Sequence, residues 1–225
     1  MRTLLYVPVI HTSADLGAIA KDVNKRGIID LGEAVWREHG RTVAGFWDAL
    51  AAYFDPIDVS GMKIYQDGMV ADGEVGQKII EEGVKSGSRN YEILSKLLNR
   101  GAILVKTENL QFVMEERDRL LDITKAKSTS RKLIAFAKYK LLKNRLLKKR
   151  DKFINGRIEE TLNQGEKGII FIGAYHNIKD ILAKTIMIKE IKDIQKVREY
   201  QKLLPFCIKH KERFGKLSKY LLEPV

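Results

Sequence analysis

Apolar positions follow two rhythms along this chain. Short continuous apolar or β-rich runs at 3–10, 59–66, 102–105 and 168–173 have strand length and no helical period. Between them apolar residues recur every three to four positions. Over 42–54 these are Val43, Phe46, Trp47, Leu50, Ala51 and Phe54, and Asp55-Pro56 stops the helix because a residue before proline is pushed out of the helical region.

Further helices are predicted after the caps Thr12, Ser13 and Asp15, over 30–39, through Gly83, over 91–99 and over 110–123. From 130 to 162 the periodic residues include Leu133, Ile134, Ala137, Leu141, Leu142, Leu146, Phe153, Ile154, Ile158 and Leu162, so the spacing predicts one long helix closed by Gly165. A helix over 178–204, a break at Pro205 and a last helix to about 222 complete the chain. Strands separated by helices imply an α/β fold with a mostly parallel central sheet flanked by helices. The expectation is one α/β domain over 1–225, with a long basic helix at about 125–162 and a helical C-terminal extension at about 178–222.

Charge changes the picture. Residues 1–124 hold 15 Lys/Arg against 19 Asp/Glu, while the remainder holds 26 against 10, giving the net +12 of the whole. The densest basic stretch, 125–152, includes Lys138, Lys140, Lys143, Arg145, Lys148, Lys149 and Arg150. It reads either as a solvated helix face or as a surface for nucleic acid or an acidic partner. Phe136 and Tyr139 are its only aromatics, which gives little for bases to stack on.

Cys207 is the only cysteine, so no internal disulfide forms, and it reads as core packing, with a reactive thiolate beside Lys209 and His210 as the alternative. No apolar run has the length of a membrane span, and 2–10 reads as a buried first strand rather than a secretory signal. A cytoplasmic location is expected.

The candidate chemistry lies where strands end. His39 and His210 sit in charged helical surroundings and read as surface residues. His11 and His176 each follow a strand, as do Asp67 and Glu108. Ligands of open α/β sheets bind at the carboxyl ends of the strands. Two histidines with one or two carboxylates there form a candidate site for Zn, Mn, Fe or Co, with strand-end histidines that merely brace a loop as the alternative. The chain has no His-Glu-x-x-His, no Walker loop, no Gly-x-Gly-x-x-Gly and no Gly-x-Ser-x-Gly.

Arg150-Asp151-Lys152-Phe153-Ile154, then Ile158, Leu162 and Gly165, then Gly168-Ile169-Ile170-Phe171-Ile172-Gly173-Ala174-Tyr175-His176 resemble the C-terminal signature of the TraB/PrgY/Tiki superfamily. That signature is an Arg-led helix, a glycine turn and a hydrophobic strand ending in Gly-x-x-His. The segment from Val7 to Ser13 is similar to the first motif, with Pro8 in place of the glycine, and Gln66-Asp67 and Glu108 depart from the usual acidic positions. The resemblance implies an α/β fold with both histidines and Arg150 near one pocket. It also implies relatives that are metal-dependent proteases, esterase-like hydrolases or regulators of peptide signalling.

A metal-dependent hydrolase of peptide or ester bonds follows as one expectation. In it His11 and His176 hold the ion, Glu108 or Asp67 acts as general base, and Arg150 stabilises the oxyanion. A small molecule or peptide is then the substrate. Two other readings stay open: a non-catalytic regulatory or binding protein that engages nucleic acid or an acidic partner through the basic half, and a homodimer packed along the long helix.

Overall fold

The computed structural model describes residues 1–12, 14–15, 20–125 and 129–225, with side chains described at all of these except 120, 122–125 and 129–141. Five strands form one sheet: β1 (Arg2–Val9), β2 (Lys63–Gln66), β3 (Ile103–Val105), β4 (Lys167–Gly173) and β5 (Ile186–Glu190). Their order is β3-β2-β4-β1-β5, and every pairing is parallel. Among the described residues eight helices accompany them: α1 (Ala20–Leu31), α2 (Glu33–Phe54), α3 (Gly73–Lys85), α4 (Arg89–Asn99), α5 (Leu110–Lys125), α6 (Thr129–Thr161), α7 (Ile194–Leu203) and α8 (Lys211–Leu222). This is the α/β architecture expected, parallel throughout. No helix among the described residues is long and apolar enough to cross a membrane.

The two central strands explain the sheet. In β1 and β4 apolar side chains are buried on both faces, from Leu4 to Val9 and from Ile169 to Ile172, as parallel strands covered by helices require. Pro8 sits inside β1 at no loss of a ladder bond. Tyr6 turns its carbonyl toward β5, where it accepts Ile191 N–H at 2.9 Å, and Pro8, two residues on, faces the same side after the β5 register has ended at Glu190.

Helix α6 buries Leu146, Arg150, Ile154 and Ile158, spaced by four, with Leu162 just beyond its end. Helix α2 buries Val43, Phe46, Trp47, Leu50 and Phe54 as predicted, but it begins at Glu33 and so joins two segments read separately.

The expected helix over 178–204 is corrected. That span holds a short 3-10 turn at Ile178–Asp180, strand β5 and helix α7, so the C-terminal extension is not helical throughout. β5 completes the open edge of β1, with Ile186 buried, Met187 exposed and Ile188 half-buried. An alternation of five residues among lysines is too short to outweigh the helical spacing of Ile178, Ile181, Leu182 and Ile191. The second strand is also shorter than read, because 59–62 is turn. Ser13 and the apolar residues Leu133–Leu141 of the proposed dimer face, like Lys138 and Lys140, lie outside the described side chains.

Candidate metal and hydrolytic site

Because all strands are parallel, their carboxyl ends share one edge, and Asp67, Glu108 and His176 follow β2, β3 and β4 there. Each is placed by a local device. Asp67 N–H continues the β2–β4 ladder to Phe171 O at 2.8 Å, and Met69 N–H closes a turn on Gln66 O at 3.0 Å around Gly68, whose φ of 79° suits glycine. The Met69 carbonyl accepts both Thr107 N–H and Glu108 N–H at 2.9 Å, which holds Glu108 against the β2 turn. His176 N–H closes a turn on Gly173 O at 3.0 Å. The spacing Gly-x-x-His is therefore that of a β-turn, with first and fourth residues joined.

The glycine of that turn has a second part. Its N–H donates to Asp67 Oδ2 at 3.0 Å, and a Cβ at this position would lie 3.0 Å from the same oxygen. The turn then returns His176 so that Nε2 lies 3.4 Å from Asp67 Oδ2. Nδ1 of His176 lies 2.5 Å from Asp151 Oδ1, and Asp151 Oδ2 accepts Asn177 N–H at 3.1 Å.

Arg150, the neighbour of Asp151 on α6, reaches three carboxylates. Its Nε donates to Glu108 Oε1 at 2.9 Å, its Nη2 to Glu108 Oε1 and Asp67 Oδ1 at 2.5 Å each, and its Nη1 to Glu116 on α5. Arg150 is 6 % exposed, so it is a site residue and not the end of a surface stripe.

Buried charges in such a network set one another's ionisation. Burial pushes the Asp67 carboxyl up, but the charge and hydrogen bond of His176, with Arg150 beside it, outweigh this and hold it well below the usual range. Glu108 is raised, because burial outweighs its contacts with Arg150. Burial alone would lower His176, yet Asp67 and Asp151 raise it to about 10. Arg150 is raised further, its burial outweighed by Asp67 and Glu108.

One oxygen from each of Asp67 and Glu108 and one ring nitrogen of His176 lie within 4.8 Å of one another. Glu108 Oε2 is buried without a hydrogen-bond partner among the described residues. The set fits a divalent ion in chemistry: a mixed nitrogen and oxygen donor group, one unmet acceptor, and a histidine oriented by a carboxylate on its other nitrogen. The sites open into a cavity of about 480 Å³ whose walls include His11, Asp15, Gln66, Asn90, Lys143, Arg150 and Tyr175.

Of the residues singled out by sequence, Asp67, Glu108, Arg150 and His176 converge. His11 lines the same cavity but stands outside the three-residue donor group. Its side chain is 45 % exposed, and its Nδ1 lies 4.0 Å from Asp15 Oδ2. Asp15 is tied to Thr12 N–H at 2.5 Å and to Ser88 at the start of α4, so the chain after β1 leads toward α4.

Asp151 and Glu116 were missed. A signal existed for α6: Arg150 interrupts the apolar series Leu146, Ile154, Ile158, Leu162, a charge in a core stripe. Glu116 left none, being one acidic residue among several on α5. Two smaller readings also resolve. Cys207 is buried as read, whereas His39 is half-buried rather than on the surface, with Nδ1 2.8 Å from the Tyr200 hydroxyl and its pKa lowered by burial to about 4. The chain matches no protein-family model, no curated protein and no solved structure.

Proposed function

We propose that the cavity at the carboxyl ends of β2, β3 and β4 is a hydrolytic site for peptide or ester bonds, of TraB/PrgY/Tiki type, that takes a divalent cation on Asp67, Glu108 and His176. The observation that supports this reading most is the approach of those three donor atoms to within 4.8 Å around an oxygen that lacks a partner. A bound Zn, Mn, Fe or Co ion acts as a Lewis acid and lowers the pKa of a coordinated water. The protein's own part is to orient and to exclude. Asp151 fixes the ring of His176 and leaves Nε2 for the donor group. Arg150 has every side-chain nitrogen engaged by carboxylates, so its role is to hold Asp67 and Glu108 in place rather than to meet an oxyanion.

A second reading rests on the same arginine. Arg150 and a protonated His176 already place two positive charges among Asp67, Glu108, Glu116 and Asp151. In that reading the site is metal-free, protonated His176 gives its Nε2 proton to the leaving group, and Glu108, raised by burial, takes one from the attacking water.

Elemental analysis of the purified chain, after chelation and remetallation, separates the two. The first reading expects about one ion per chain, lost in Asp67→Asn/His176→Ala, and peptide or ester hydrolysis that follows the ion. Hydrolysis that survives chelation but not His176→Ala supports the metal-free site. Neither ion uptake nor hydrolysis leaves a regulatory or binding protein and overturns both.

A further inference from the structure

The helix that turns Arg150 and Asp151 inward carries a different set of charges on its outer face. At 3.6 residues per turn, Arg145, Lys148, Lys149 and Lys152 fall on one side of α6 over about 10 Å of axis, and all four are exposed. None forms an ion pair with a described residue. Some surface cations elsewhere, Arg26, Lys85 and Lys216 among them, are by contrast matched by a carboxylate three or four residues away. Along α6 the pairs Arg145/Lys149 and Lys148/Lys152 instead place like charges four apart, which works against the helix. Among the described residues no carboxylate forms an ion pair with any of the four.

The surface is concave as well as charged. A cavity of about 210 Å³ between α5 and α6 is lined by Arg119, Arg145 and Lys149, with Glu115 the one carboxylate. Arg119 is bonded to Glu115 through Nη2, but its Nη1 is buried with no acceptor among the described residues. An open concavity of about 470 Å³ adjoins it through the shared Arg145 and Lys149 and continues to Lys148 and Lys152. Five cations thus line one continuous surface that contains an unmet donor.

We infer that this surface docks the phosphate backbone of a nucleic acid without reading its bases. Charge complementarity selects an anion, and the linear run of four cations selects one with repeated charges rather than a single carboxylate. Among the described residues the lining of this face holds no aromatic ring, and Phe112 lies under Lys149 Nζ at 5.8 Å and packs on Phe153. Among the described residues the face also offers no apolar anchor to enter a lipid surface, since its lining beyond the charges is Asn144 and the side chains of Leu142 and Leu146 within the groove. Contact is therefore with phosphates, and its strength comes from counterion release.

Anisotropy of a labelled single-stranded oligonucleotide of about 20 nucleotides, titrated with the full chain over a salt series, tests this. About four phosphate contacts give a slope of log K against log salt near −3. Arg145→Glu/Lys149→Glu is expected to weaken binding by about tenfold or more and to flatten the slope. Lys78→Glu/Lys211→Glu, which changes net charge equally at exposed sites on α3 and α8, is expected to leave binding near wild type. If the charge reversal disturbs folding by circular dichroism, Arg145→Gln/Lys149→Gln replaces it. Equal losses in the two double variants, no binding at low salt, or tighter binding to phosphatidylserine vesicles than to the oligonucleotide would each overturn the proposal.

Discussion

Nδ1 of His176 lies 2.5 Å from Oδ1 of Asp151, across 25 residues of chain that run from the middle of α6 through β4 to the turn beyond it. Asp151 Oδ2 also accepts Asn177 N–H, so one carboxylate fixes both the ring and the backbone that carries it. Asp151→Asn is expected to keep the fold while weakening metal affinity by about 10- to 100-fold, as loss of an outer partner to a ligating histidine does. Competition with a chelator of known affinity measures this. An unchanged affinity would remove Asp151 from the orienting role.

Arg150 neutralises three carboxylates, buried Glu108 after β3, nearly buried Asp67 after β2 and half-buried Glu116 on α5. Arg150→Met is expected to destabilise the chain by about 3–5 kcal/mol, because Glu108 is left buried without its ion-pair partner and Asp67 keeps only His176. Adding Glu108→Gln should recover part of the loss by removing one of the stranded charges. Urea denaturation midpoints of the two variants decide it. An additive result, with no recovery, would mean that the ion pair is not the source of the cost.

Gly173 is needed for space, since the Asp67 carboxylate packs where a side chain would be. Gly173→Ala is expected to cost about 1–3 kcal/mol through overpacking and to displace Asp67 from the Gly173 N–H. Metal uptake should therefore fall more than stability does. Gly156→Ala provides the comparison, because a Cβ there meets nothing within 4 Å and a helical position generally gains from alanine.

His39 makes stability depend on acid. Burial holds its folded pKa at about 4, below the ordinary value near 6.5 of the unfolded chain. The unfolded state therefore binds the proton first. The contribution of neutral His39 is complete above about pH 6.5 and is lost progressively as pH falls to about 4. The loss is on the order of 2 kcal/mol, allowing for its partial exposure. His39→Gln should flatten the stability profile across this window, as read by denaturation midpoints at several pH values. A profile of unchanged steepness would show that another group titrates there.

Much of the architecture and part of the site are legible in the order of residues alone. Runs such as Leu4–Val9 and Ile169–Ile172 specify strands buried on both faces, because no helical stripe or half-exposed strand would be apolar at every step. Parallel strands joined by helices then bring Asp67, Glu108 and His176 to one edge, since each residue follows a strand end. Which strand ends become neighbours is a different matter. His11 and His176 follow adjacent strands, β1 and β4, yet Asp67, after β2 on the other side of β4, is the residue that meets His176, while the chain beyond β1 turns away to Asp15 and α4. Strand order, the direction of a loop and the azimuth of a helix come from packing between residues far apart in the chain. Periodicity reports only which face of an element is buried. For that reason Asp151 and Glu116 joined the site, and β5 joined the sheet, only in the tertiary structure.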